Sequence, residues 1–345
     1  MTVTQPTSAQ WKTLYDACIR FRKAACWKWM TEDEMFGIEN PKTGEVGYCL
    51  IIGNLGEQLG LIIYTGSDGL ESYKKLSDHA QLSEEDFILF LSQKCLSITY
   101  DNKTGLEEED IQVINELGIT LKGAKQYPVI RNMTPGYVPW FVSGDEADYL
   151  STAIEQVLDV SMRFKDNPDI IRSRRPKYLV RMNDTISGSH ICADEWLLPE
   201  PIRPKAVAPA QIDEVGIMRI KSNAGKTRTT WEFTYSLENM PIHEQGNRPF
   251  YPMMLLLVET QSGLVIGSDT ASPDSYQQRF IEYLLQIMAS SNSYPREIML
   301  ESDEAATMLQ PILSHLDIKA VKVKRCKESF KARTAMRQHL SKQLR

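Results

Sequence analysis

From Trp231 to its end the chain reads strand, strand, strand, helix, strand, helix, strand, helix. The β-rich runs are 229–237, 253–259, 264–268, 297–301 and 318–323, and helical periodicity fills 274–290, 304–316 and the last stretch. Strands that follow one another through short turns pair antiparallel, whereas strands separated by a helix pair in parallel through right-handed crossovers. This order therefore predicts a mixed sheet with an antiparallel and a parallel half. A further run at 216–220, separated from 229–237 by Ser222-Asn223-Ala224-Gly225-Lys226, reads as the first arm of a preceding hairpin.

A chain of 345 residues exceeds one ordinary core, and two domains are expected. Pro199, Pro201, Pro204 and Pro209 fall within eleven residues and mark the boundary, because each fixes φ and removes a donor. The expected division is a domain over 1–197, a proline-rich linker over 198–212 and a domain over 213–345. The fold class is α+β, with an N-terminal antiparallel sheet flanked by helices and a C-terminal mixed α/β sheet.

In the first half, helical spacing appears over 8–25, 69–80, 83–93, 107–117 and 145–164. The runs YCLIIG and LGLIIYTG surround Asn54-Leu55-Gly56-Glu57 as adjacent strands, and 127–131, 140–143, 178–182 and 189–193 add short ones. Gly53, Gly56 and Gly60 are turn glycines, since a dinucleotide loop would have to lead into a helix and a strand follows here.

No apolar run approaches the length needed to cross a bilayer, and six cysteines without C-x-x-C spacing fit reduced, buried thiols. A cytoplasmic protein is the expectation. Net charge is −6, yet residues 319–345 hold ten Lys or Arg against one carboxylate, Glu328, so a basic tail follows an acidic body. Lys331, Arg333, Arg337, Lys342 and Arg345 are the candidates for contacting phosphates. Met336, Leu340 and Leu344 form a stripe that calls for a partner. The protein's own sheet is the first expectation, a second copy of the chain the next, and an anionic membrane or nucleic acid the last.

Taken whole, the chain resembles a family of uncharacterised two-domain bacterial proteins through GYCLIIGNLGEQLGLIIYTGSDGLESY, YVPWFV, NRPFYPMMLLLVETQSG and YPREIMLESDEA. That resemblance carries a two-domain layout and no activity. The C-terminal half more distantly resembles the integrase and transposase core of the RNase H-like fold (βββαβαβα). The family has W-x-x-D on the first strand and a second Asp at the end of the fourth. Here Thr234 stands three residues after Trp231, Glu301 stands six after Pro295, and Met336 stands about thirty-five beyond Glu301. Two Mg²⁺ or Mn²⁺ ions need several oxygen anions around them, and one aligned carboxylate is too few.

Glu232, Glu259, Glu301 and Asp303 are the substitutes a shifted register could offer for a metal or catalytic site. His190, Cys192, Asp194 and Glu195 cluster without a second ligand pair. The leading expectation is a non-catalytic binding or scaffolding protein for another protein or an anionic ligand between the domains. No cofactor is expected. The alternatives are a metal-dependent nuclease or phosphotransferase using the four carboxylates, and a nucleic-acid-binding protein using the basic helix.

Overall fold

The computed structural model describes residues 4–78, 84–171, 174–184, 191–202 and 213–343. The chain divides into two compact units, Met1–Ile202 and Arg203–Arg345. That division falls inside the segment read as a linker, of which 203–212 lie outside the described residues.

Unit 1 runs α1 (Ser8–Ala24), β1 (Phe36–Glu39), β2 (Val46–Ile52), β3 (Gly60–Thr65), α2 (Gly66–Ser77) and α3 (Glu84–Leu91). It continues with β4 (Cys95–Asp101), α4 (Glu108–Glu116), β5 (Tyr127–Met133), α5 (Gly144–Asp166), β6 (Tyr178–Asp184) and β7 (Ile191–Leu197). Seven strands form one sheet in the order β5-β4-β3-β2-β1-β6-β7. Its pairings are antiparallel except between β1 and β6, which are parallel, so the expected antiparallel sheet carries one parallel joint.

The continuous apolar run in β2 follows from burial on both faces. Cys49 and Ile51 join the core built with α1 and α5, through Leu14, Phe21, Leu150, Ile154 and Val157. Tyr48 and Leu50 point the other way, to Tyr64 and to Leu70 of α2. Burying each such side chain is worth about 1.5–3 kcal/mol. Gly47 is needed in this strand, because a Cβ there would run into the Tyr149 hydroxyl and Ile63. Capping boxes start α1 at Thr7, one residue before the Ser8 expected, and α5 at Ser143 with Glu146. The predicted strand at 140–143 is reduced to a single bridge between Asn132 and Trp140.

Unit 2 runs α6 (Glu214–Asn223), β8 (Gly225–Lys226), β9 (Thr230–Leu237), β10 (Met253–Glu259), β11 (Val265–Ala271) and α7 (Tyr276–Ser290). Then come β12 (Ser293–Tyr294), β13 (Glu297–Leu300), α8 (Asp303–His315), β14 (Lys319–Lys322) and α9 (Lys327–Gln343). The expected strand at 216–220 is instead part of α6. Asp213 caps that helix by accepting the Gly216 N–H at 2.8 Å, and Ile217 and Ile220, three apart, are its buried face.

Five strands form the main sheet in the order β11-β10-β9-β13-β14. β10 is antiparallel to both β9 and β11, and β13 is parallel to both β9 and β14. Trp231, Phe233, Leu255, Leu257, Ile298 and Leu300 pack with α6, α7 and α8 on one face. By strand alternation, Glu232 and Thr234 of β9 lie on the opposite face, where α9 packs across β9 and β10.

Candidate functional site

The polar face of β9 and the start of α9 meet in a cluster of charges. Glu232 is only 3 % exposed, and both of its oxygens are engaged by backbone. Oε2 accepts the Ser329 N–H at 2.6 Å, and Oε1 accepts the Glu328 N–H at 3.3 Å. Glu301, immediately after β13, accepts the Cys326 N–H on Oε1 at 2.6 Å and stays exposed at the rim. The first N–H groups of a helix have no partner within it and carry the positive end of its dipole, so carboxylates suit them. Both carboxylates therefore act as caps on a helix that begins almost a hundred residues after Glu232.

Between them lies Cys326, 1 % exposed. Its thiol is pushed up to about 12, by burial first and then by the negative charge of Glu232 and Glu301. A thiol so placed stays protonated.

One turn along α9, the Arg333 side chain is 15 % exposed and its Nη1 lies 3.8 Å from Glu238 Oε1. Its Nη2 is 3.5 Å from the Thr234 hydroxyl. Arg337 adds a second cation, 3.5 Å from Glu238 Oε2. Burial draws the Arg333 guanidinium below its ordinary value, Arg337 adds to that, and Glu238 and Glu301 oppose it. Thr234 is the position that the integrase resemblance aligned with the first Asp. Here it is a buried hydroxyl facing a guanidinium.

Of the four candidate carboxylates, the structure brings Glu232 and Glu301 together around Cys326. Glu259 closes the β10–β11 turn by accepting the Gln261 and Ser262 N–H groups at 3.1 and 2.8 Å. Asp303 stands in the first turn of α8 and pairs with Lys322 Nζ at 2.7 Å. Among the described residues, no group of three or more His, Cys, Asp and Glu is placed to hold a metal ion. Asp194 is claimed by Arg163 and Arg181 at 2.9 and 2.6 Å, and His190 lies outside the described residues.

The five tail cations separate in the same way. Arg333 and Arg337 turn inward to Glu238, Lys331 pairs with Glu328 at 2.8 Å, and the Lys342 side chain and Arg345 lie outside what is described. Met336 is half-buried, and the side chains of Leu340 and Leu344 also lie outside. Cys326, Ser329 and Glu238 escaped the sequence reading. The signal that could have found them is the alternation of β9, which sets Glu232, Thr234 and Ser236 on one face and so demands a polar or cationic cover.

Each unit matches one family model. Residues 11–181 match a Domain of unknown function (DUF7309), and residues 217–337 match a Domain of unknown function (DUF6930). The two halves of the chain are thus each similar to a domain of unknown function. The first match runs from α1 into β6, and the second runs from α6 into α9. The C-terminal domain thus contains the whole carboxylate and arginine cluster, together with Glu259 and Asp303. No curated protein matches the chain.

Proposed function

We propose that this is a cytoplasmic, non-catalytic binding or scaffolding protein, and that its C-terminal domain has an RNase H-like arrangement whose carboxylates have passed from metal binding to structural use. The fold part rests on three antiparallel strands followed by alternating helices and strands, with β13 parallel to both β9 and β14. The cytoplasmic part rests on six unpaired cysteines, five of them buried. No helix among the described residues is long and apolar enough to cross a membrane.

The observation that carries the non-catalytic reading is the engagement of Glu232. A metal ligand must present lone pairs to the ion, and both oxygens of this buried carboxylate point at backbone N–H groups of α9. The positive charge that two Mg²⁺ ions would bring to such a cluster comes instead from a helix terminus and from Arg333. The test is calorimetric titration of the full chain with Mg²⁺ and Mn²⁺, beside turnover assays on single-stranded DNA, RNA and nucleoside triphosphates. No saturable heat at millimolar metal and no turnover are expected. Metal-dependent turnover that Glu301→Ala abolishes would establish the nuclease or phosphotransferase alternative. Salt-sensitive nucleic-acid binding that Lys331→Glu weakens would establish the basic-helix alternative.

A further inference from the structure

The N-terminal domain holds a cavity of about 550 Å³ beside the end of α1, lined by Arg22, Lys23, Lys28, Trp27 and Leu59 among others. The chain leaves α1 through Ala25 in the left-handed conformation, φ 55°. That turn brings Lys28 round to the same cavity as Arg22 and Lys23. Three cations thus face one space in a protein whose net charge is −6, and no carboxylate lines it.

Arg22 is held in position rather than neutralised. Its Nε donates to the Lys125 carbonyl at 2.7 Å, and its guanidinium lies 5.4 Å from the Trp27 ring centre and 5.7 Å from that of Tyr100. The Lys125 ammonium in turn donates to the carbonyls of Gly56 and Glu57 at 2.9 and 2.6 Å, which fixes the loop that holds Arg22. Neither Arg22, Lys23 nor Lys28 has an ion-pair partner among the described residues. The end of α1 favours Arg22 and Lys23 through its dipole, but Lys28 lies beyond the helix and gains nothing from that.

The remaining wall is apolar, from Ile19, Leu59, Leu121 and the Trp27 indole, with the Gln126 carboxamide at one side. Small-molecule sites are apolar concavities of about 300–1,000 Å³ with a few convergent polar groups. We infer that this cavity binds a phosphate monoester of a flat ring system, with its dianion among Arg22, Lys23 and Lys28 and its ring against the partly exposed Ile19 and Leu121. A dianion matches three unpaired cations better than a single carboxylate would, and a ring uses the apolar wall that inorganic phosphate leaves empty.

The experiment is isothermal titration of the full chain with AMP and with 1-naphthyl phosphate, beside adenosine, 1-naphthol and inorganic phosphate. At least one of the two esters should bind with one-to-one stoichiometry. Its dephosphorylated parent, adenosine or 1-naphthol, and inorganic phosphate should each bind at least tenfold more weakly. The double variant Lys23→Gln/Lys28→Gln changes exposed side chains only, so its far-UV circular dichroism should be unchanged while ester affinity falls at least tenfold. Arg22→Gln should lower affinity too, but it also removes packing on Trp27 and Tyr100, so the lysine pair is the decisive variant. Absence of binding by both esters at millimolar concentration would overturn the inference. So would a parent compound that binds as well as its ester, or a folded double variant that binds unchanged.

Discussion

Replacing Glu232 separates a structural carboxylate from a catalytic one by the sign of the stability change. In the folded chain this side chain gives the start of α9 two charge-assisted hydrogen bonds in a site that is 3 % exposed. Hydrogen bonds to charged groups contribute about 1.5–3 kcal/mol, and a helix N-cap about 0.5–2 kcal/mol. The two overlap here, and water partly replaces the lost acceptor. Glu232→Ala should therefore destabilise the C-terminal domain by about 3 kcal/mol, and Glu232→Gln, which keeps one acceptor oxygen and loses the charge, by about 1–2 kcal/mol. Hydrogen exchange read by mass spectrometry is the right assay, because a two-domain chain need not unfold in one step. Amides at the start of α9 should lose about two orders of magnitude of protection in the Ala variant, at about 1.4 kcal/mol per tenfold. Peptides of the N-terminal domain serve as the internal control. Unchanged protection would refute the capping argument. Increased protection would refute it more strongly, since relief of like-charge repulsion is what an unfilled metal site shows when a carboxylate is removed.

Two other perturbations test the N-terminal domain. Asp110 and Arg131 form a buried two-point pair, 2.9 and 2.6 Å, that ties α4 to β5, while Glu107 keeps a second carboxylate 3.3 Å from the same guanidinium, so Asp110→Ala should cost about 1.5–3 kcal/mol, read as a lowered urea midpoint. A midpoint within experimental error of the parent would contradict that account. Burial works to raise the Asp194 carboxyl, but hydrogen bonds from Arg163 and Arg181 hold it below its ordinary value. Because the folded value is the lower one, its stabilisation is complete above the unfolded value of about 3.9 and disappears as pH falls through the folded value. Asp194→Asn should flatten the acid side of the stability-against-pH profile below about pH 4, and an unaltered slope there would show that the pair is not formed in solution.

Local order was legible where periodicity was strong. The β9–β10–β11 meander and its alternation with α7, β13, α8 and β14 appear in the sequence because strands alternate at two residues and helices repeat near 3.6. The 216–220 segment was misread because Gly216, Ile217 and Ile220 are compatible with a strand over so short a window. The Asp213 cap that settles the matter lies just outside it. At the candidate site, the acidic residues and the basic tail were both visible as composition, but their pairing was not.

What the sequence determined by itself is therefore the supply of parts. It set two domains' worth of chain, apolar runs of strand and helix period, four carboxylates near strand ends, and one basic helix. Only the tertiary structure decided that Glu232 and Glu301 would meet the first N–H groups of α9, and that Arg333 would stand beside Thr234. Ser329 lies 97 residues from Glu232 along the chain. Hydrogen bonds and ion pairs act over a few ångströms, and a periodicity that fixes an element's face carries no record of which distant element will cover it.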